Sequence, residues 1–129
     1  MPKNEAVTSN DLVKSGFANN TIGDILKTSC YDCHSQQTVY PWYSHIAPVS
    51  WLVAKDVREG REELDFSRWN QYSKREWIGK LNEIMEQVEQ NKMPMKNYLV
   101  LHPAAKLDSI EKKLLLKWAE NSIDSILDL

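Results

Sequence analysis

Three residues of this chain combine reactive side chains with a short spacing: Cys30, Cys33 and His34 form a Cys-x-x-Cys-His string. Two thiols three positions apart lie on the same side of a helix. Thiols placed in this way can each add to a vinyl group of one haem, and the adjacent imidazole can then bind the iron. The string therefore predicts one covalently attached haem, haem c, with His34 as the proximal iron ligand.

The two cysteines also have other interpretations. A Cys-x-x-Cys pair can be a redox dithiol, but the thioredoxin-like case needs a strand-helix-strand context, and no strand pattern is present. A zinc site would need four ligands and would have to recruit His45 or His102 without the usual second pair of ligands. The thiols could also form a plain disulfide in protein made without haem-attachment machinery. Haem attachment is the favoured hypothesis.

A methionine is predicted to supply the sixth ligand of the iron. A thioether suits an electron-transfer haem because soft sulfur favours the ferrous state. Met93 precedes Pro94, which favours an extended backbone at Met93 and so helps a loop to present this side chain. The sequence thus favours Met93, and the alternatives are Met95, His102, His45 and an open site.

Aromatic residues near two predicted loops are candidates for the walls of a haem pocket, because Trp and Tyr rings combine an apolar face with a polar tip. These candidates are Tyr40, Trp42, Tyr43, Trp51 and Tyr98. Arg58 and Arg61 could pair with the haem propionates. The competing interpretations are ordinary core packing for each aromatic residue and a solvated helix face for the arginines.

Helices must position these side chains, because apolar residues recur at helical spacing and no strand pattern competes. A first helix is predicted to begin near Thr21 and to carry the cysteines on its buried side. A second helix is expected from about Pro48 to Leu64, and Gly60 within it predicts the close approach of another backbone or of the cofactor. Ordered loops are expected at residues 40–48 and 92–106, which contain prolines.

Two C-terminal helices should begin at capping boxes, because Ser73 lies three residues before Glu76 and Asp108 lies three residues before Glu111. The first of them should end near Asn91. The second is expected to bury Ile110, Leu114, Trp118 and Ile126. The sequence therefore predicts an all-α bundle of four or five helices, with residues 1–20 as a loosely packed polar arm and residues 21–129 as the haem-binding domain.

Length and composition narrow the classes of function. The 129 residues suffice for one domain, and a net charge of −2 provides no basic surface for nucleic acid. No apolar run reaches the roughly 20 residues of a membrane span, and the first residues lack the apolar stretch of a secretory signal. Because haem of this type is attached outside the cytoplasmic membrane, we expect a periplasmic or otherwise exported protein whose native leader or anchor is absent from this sequence.

The chain also resembles the bacterial haem-binding-domain family, a branch of the monohaem cytochrome c-like domains. The matching positions are Cys30–Ser35, Thr38–Ser44, Ile46–Leu52, Glu59–Arg61, Phe66–Trp69, Met93–Pro94, Tyr98, His102–Pro103, Ala105, Leu107, Glu111 and Trp118. The resemblance covers roughly residues 22–120. It implies a cytochrome c-like bundle around one haem attached at Cys30 and Cys33, proximal ligation by His34, and Met93, the methionine of Met-Pro, as the distal ligand.

These features favour a single-electron carrier over an enzyme, because a haem with both axial positions filled needs no substrate site. An exposed haem edge would then serve a transient redox partner protein, and the carrier is expected to be a monomer. A haem-based redox or gas sensor is the alternative, with a weak or absent distal ligand. A peroxidase-like enzyme using His45 or His102 is the least favoured hypothesis.

Overall fold

The computed structural model describes all residues, 1–129, and it is helical throughout, with no strand. Its six α-helices are α1 (Asn20–Ser29), α2 (Tyr31–His34), α3 (Val49–Glu63), α4 (Lys74–Glu89), α5 (Lys96–Leu101) and α6 (Ser109–Leu127). Short 3-10 helices form at Trp42–His45, Phe66–Gln71 and Pro103–Ala105. The predicted all-α class is confirmed. None of the helices has the length and apolar composition that a membrane span requires.

The count of six exceeds the predicted four or five for two local reasons. The first predicted helix is divided at Cys30, where φ is −127° and ψ is −36°, so that α2 follows α1 at an angle. In addition, α5 forms inside the segment predicted as a loop, between Pro94 and Pro103. Proline is compatible with a helix on either side of it, so these two residues bound α5 without preventing it.

Both predicted capping boxes are confirmed. At the start of α4, the Ser73 side chain accepts a hydrogen bond from the N–H of Glu76, and the Glu76 side chain accepts one from the N–H of Ser73. Asp108 and Glu111 make the same pair of bonds at the start of α6. Such reciprocal bonds satisfy two of the N–H groups that every helix start leaves free. Past the end of α4, Asn91 adopts a left-handed φ of 58° and turns the chain back.

The core lies where α1, α4 and α6 pack around the 3-10 segment that precedes α4. Trp69 and Phe66 of that segment are the largest fully buried side chains, and Leu26, Leu81 and Leu115 pack with them from the three helices. Burial of a leucine side chain contributes about 2 kcal/mol. This core holds the end of α1 in a fixed place, and with it residues 30–39, which we call the cysteine segment.

The predicted buried face of α6 is partly wrong. Ile126 is buried and Trp118 packs against the core as expected, but Ile110 is 68% exposed and Leu114 is 41% exposed. Leu115 is buried in place of Leu114. The sequence has three consecutive leucines at 114–116, so a rotation by one residue changes which of them faces inward without disturbing the apolar period.

The loose packing predicted for residues 1–20 is wrong for Asp11, Leu12 and Ala18, which are buried, whereas residues 1–9 are mostly exposed. Leu12 is fully buried, and its N–H donates to the carbonyl of Phe66 at 2.9 Å. Asp11 is buried beside it and accepts a hydrogen bond from the Tyr31 hydroxyl at 3.0 Å. These residues escaped prediction because two isolated side chains give no periodic signal. The division of the chain at residue 20 stays a prediction.

Candidate haem-binding site

Tyr31, which lies between Cys30 and Cys33, fixes the cysteine segment in the core. Tyr31 is buried, stacks on Phe66 with 5.2 Å between ring centroids, and donates its hydroxyl to Asp11. Because Tyr31 is anchored in the core, Cys30 and Cys33 lie along the wall of a cavity that His34 also lines. The structure thus brings the three residues of the Cys-x-x-Cys-His string together at one cavity.

Gly60 allows α3 to cross this segment at very short range. A Cβ atom at position 60 would overlap the carbonyl oxygen of Cys33 and lie 3.0 Å from its carbonyl carbon. The close approach predicted from Gly60 is confirmed, and the partner is the backbone of Cys33. Contact this tight is possible for glycine because it has no side chain.

The crossing of α3 also fixes the imidazole of His34. Its Nδ1 lies 2.8 Å from the carbonyl oxygen of Gly60 and 3.0 Å from that of Leu64. Carbonyl oxygens only accept hydrogen bonds, so Nδ1 carries the proton and Nε2 keeps its lone pair. Burial lowers the pKa of His34 below its ordinary value and favours this neutral form. An imidazole held in this way is typical of a metal-ligating histidine.

The cavity has a volume of about 360 Å³ and a mostly apolar lining. Ligand pockets commonly span about 300 to 1,000 Å³. Its walls come from the cysteine segment, from α3, from α4 and from the residues after α4. The α4 wall consists of Lys80, Glu83, Ile84, Gln87 and Val88. These residues were not predicted to belong to the site, because contacts between distant parts of the chain leave no local pattern in the sequence.

The two thiols are protonated at neutral pH. Burial raises the pKa of both Cys30 and Cys33 to about 12, and the carboxylates of Asp56 and Asp32 add to the effect at Cys33. A reactive dithiol needs a lowered pKa, so this environment does not favour a redox dithiol. The structure contains no group of three or more His, Cys, Asp or Glu side chains that could hold a metal ion.

Met93 and Met95 both line the cavity, whereas His45 and His102 do not. The N–H of Met93 donates to the carbonyl of Gln87 in the last turn of α4 at 3.3 Å, which ties the start of this segment to the helix. His45 is exposed. Of the candidate distal ligands, the two methionines are therefore the ones that reach the same cavity as His34.

The predicted aromatic residues are divided between the cavity and the surface. Tyr98 lines the cavity, and Tyr43 lies next to it in a smaller recess of about 80 Å³. Trp42 is 76% exposed and Trp51 is 72% exposed, and neither lines the cavity. Their placement differs from the prediction because the 3-10 helix at residues 42–45 and the first turn of α3 direct these two rings outward. Tyr40 also lies elsewhere and donates its hydroxyl to the carbonyl of Pro2.

Arg61 has a different role from the predicted contact with propionates. Its guanidinium donates to the carbonyls of Ser35 and Lys3 and to the side chain of Asn4, which joins the N-terminal residues to the cysteine segment. Arg58 is exposed, and neither arginine lines the cavity. Lys80 is the one basic side chain of the lining apart from the imidazole.

A helical domain in which two partly buried thiols and one neutral imidazole share a mostly apolar cavity has the donor set that a covalently held haem requires. The residues present therefore fit this group. The chain matches the family model described as a haem-binding domain over residues 1–121, and it belongs to that family. The predicted resemblance is thus confirmed. No curated protein and no solved structure is significantly similar to the chain.

Proposed function

We propose that this protein is a monohaem c-type cytochrome domain that carries single electrons. The observation that supports the proposal most directly is the arrangement of Cys30, Cys33 and His34 on one cavity, with Nδ1 of the imidazole held by two carbonyl oxygens. When bound, the haem would supply an iron that alternates between the ferric and ferrous states.

The cysteines would hold the haem through thioether bonds. Each thiol would add its S–H across a vinyl double bond of the haem, so that a carbon–sulfur bond would form, the hydrogen would move to the second vinyl carbon and no group would leave. His34 would bind the iron through Nε2, because Nδ1 is occupied by its hydrogen bonds. The apolar walls would exclude water, which with the axial ligands sets the reduction potential.

Met93 is the proposed distal ligand. It lies in the cavity beside Met95, and its backbone is tied to the end of α4 through the hydrogen bond to Gln87. A side chain presented from a tethered backbone loses less freedom on binding the iron than one from an untethered loop. A methionine ligand also raises the reduction potential of a haem iron.

Two matched variants, Met93→Ala and Met95→Ala, test this assignment. Both remove a thioether from the lining of the same cavity. We expect only Met93→Ala to abolish the methionine signature in the spectrum of the ferric protein and to let the ferrous protein bind carbon monoxide rapidly. The wild type should titrate as a one-electron couple and should bind carbon monoxide only slowly, because the methionine must leave the iron first. A response confined to Met95→Ala would contradict the assignment, and rapid carbon monoxide binding by the wild type would favour the sensor hypothesis.

The same proposal places the protein outside the cytoplasmic membrane, because haem of this type is attached there. It acts as a monomer that meets a redox partner protein transiently, and it needs no substrate site. Size-exclusion chromatography of the haem-loaded protein and fractionation of cells that produce it from its natural gene test these two points. A stable dimer, or haem-loaded protein confined to the cytoplasm, would contradict them.

A further inference from the structure

The segment that directly follows the proposed distal ligand, Met93, is attached to the rest of the molecule at few points. We call residues 94–104 the distal segment. It contains α5, none of whose residues is buried. The backbone of Met93 is tied to α4 just before this segment, and after it Ala105 is buried and accepts a hydrogen bond from the Ser29 hydroxyl at 2.8 Å. Apolar burial therefore contributes little to holding the segment between these two ends.

Two side-chain hydrogen bonds join the distal segment to the rest of the chain. The Tyr98 hydroxyl donates to Oδ2 of Asp32 at 2.6 Å, and the Tyr43 hydroxyl lies 3.2 Å from Nε2 of His102. The two contacts are coupled, because the rings of Tyr98 and His102 stack with 4.3 Å between centroids and an interplanar angle of 11°. The shorter bond, which also involves a carboxylate, is expected to be the stronger one.

Asp32 is a rigid acceptor because the cysteine segment holds it on several sides. It lies between Cys30 and Cys33, its Oδ1 accepts a hydrogen bond from the N–H of Val39 at 3.1 Å, and its carbonyl accepts one from the Thr38 hydroxyl at 2.6 Å. Tyr98 is thus bonded to the part of the chain that would bear the haem. Burial and the neighbouring carboxylate raise the pKa of Tyr98, which keeps its hydroxyl a donor.

We infer that Tyr98 is a positioning residue that closes the distal segment over the cavity through its hydrogen bond to Asp32, and thereby keeps the distal methionine on the iron. Closure of the distal segment is independent of the proposed function, and only the statement about the iron rests on it. Because Tyr98 lines the same cavity as Met93 and Met95, loss of its bond would free the segment that carries Met95 and follows Met93. The segment could then open and admit an external ligand.

The first test compares Tyr98→Phe with Tyr40→Phe in the full-length protein. The control removes the same hydroxyl and a bond of similar length, 2.7 Å to the carbonyl of Pro2, at a site away from the distal segment. A hydrogen bond to a charged group stabilises by about 1.5–3 kcal/mol, so backbone amides of α5 should exchange with solvent about tenfold to a hundredfold faster in Tyr98→Phe. Unchanged exchange in Tyr98→Phe, or an equal change in the control, would overturn the inference.

The second test measures the distal ligand in the haem-loaded protein. We expect ferrous Tyr98→Phe to bind carbon monoxide about tenfold or more faster than the wild type, because the methionine must leave before the gas binds, and we expect Tyr40→Phe to bind it at the wild-type rate. Faster exchange of α5 with an unchanged rate of gas binding would overturn the link to the iron. A wild type without a methionine signature would instead contradict the proposed function, and the exchange experiment would still decide the role of Tyr98.

Discussion

At the scale of single residues, the geometry of the candidate site depends on Gly60, which lies outside the Cys-x-x-Cys-His string. Gly60 brings the backbone of α3 against Cys33, and this contact carries the carbonyls of Gly60 and Leu64 to Nδ1 of His34. The orientation of His34, the proposed proximal ligand, therefore follows from the absence of a side chain at one position of a neighbouring helix. Glycine is normally unfavourable inside a helix, which makes its use here informative.

Two substitutions of the same type test this role. In Gly60→Ala the added methyl group would meet the backbone of Cys33, which cannot move as a flexible side chain could, so we expect a loss of about 1–3 kcal/mol in the free energy of unfolding. Gly79, in α4, has open space where the methyl group of an alanine would lie, and Gly79→Ala should stabilise by up to about 1 kcal/mol. Urea unfolding of both variants provides the measurement, and equal effects would count against the close contact.

At the scale of helices, the capping boxes and the apolar periods made the fold class predictable. Ser73 and Asp108 mark the starts of α4 and α6 because their side chains satisfy backbone N–H groups that lie next to them in sequence. The rotation of α6 was not predictable, because Leu114, Leu115 and Leu116 are equally apolar. Tertiary packing alone selects Leu115.

The rotation of α6 can be tested with Leu115→Ala and Leu114→Ala. The first leaves a cavity at a fully buried position and should lower the free energy of unfolding by about 2–5 kcal/mol. The second removes a side chain that is 41% exposed and should cost less than about 1 kcal/mol. Thermal or urea unfolding of the pair gives the answer, and a larger loss in Leu114→Ala would mean that α6 faces the core as the sequence first predicted.

The sequence also predicted the central part of the site better than its surroundings. Cys30, Cys33 and His34 are adjacent in the chain, so their meeting at one cavity follows from local geometry. The wall formed by α4, the exposed positions of Trp42 and Trp51, and the role of Arg61 depend on contacts between distant parts of the chain. Such contacts leave no local pattern in a single sequence.

At the scale of the whole molecule, the N-terminal residues pack against the core and against the cysteine segment. Leu12 enters the core, Asp11 holds Tyr31, and Arg61 joins Lys3 to Ser35, which directly follows His34. The family match from residue 1 to residue 121 includes these residues. The cysteine segment is thus enclosed by the core, by α3 and by the start of the chain.

A comparison of Arg61→Ala with Arg58→Ala tests this enclosure. Both variants lose one positive charge from α3, but only Arg61 bonds to the N-terminal residues and the cysteine segment. We expect Arg61→Ala to lower the free energy of unfolding by about 1–3 kcal/mol and to expose the first residues to protease. Arg58→Ala should stay within about 0.5 kcal/mol of the wild type. Equal stability of the two variants would show that the N-terminal contacts contribute little.

The mass of the intact chain under denaturing conditions tests the central claim most directly. The protein should be exported from cells that contain haem-attachment machinery, and a variant with Cys30→Ala and Cys33→Ala should be prepared in parallel. We expect the wild type to carry the added mass of one haem and the variant to have the mass of the polypeptide alone. An unmodified wild-type mass would contradict covalent attachment through these cysteines.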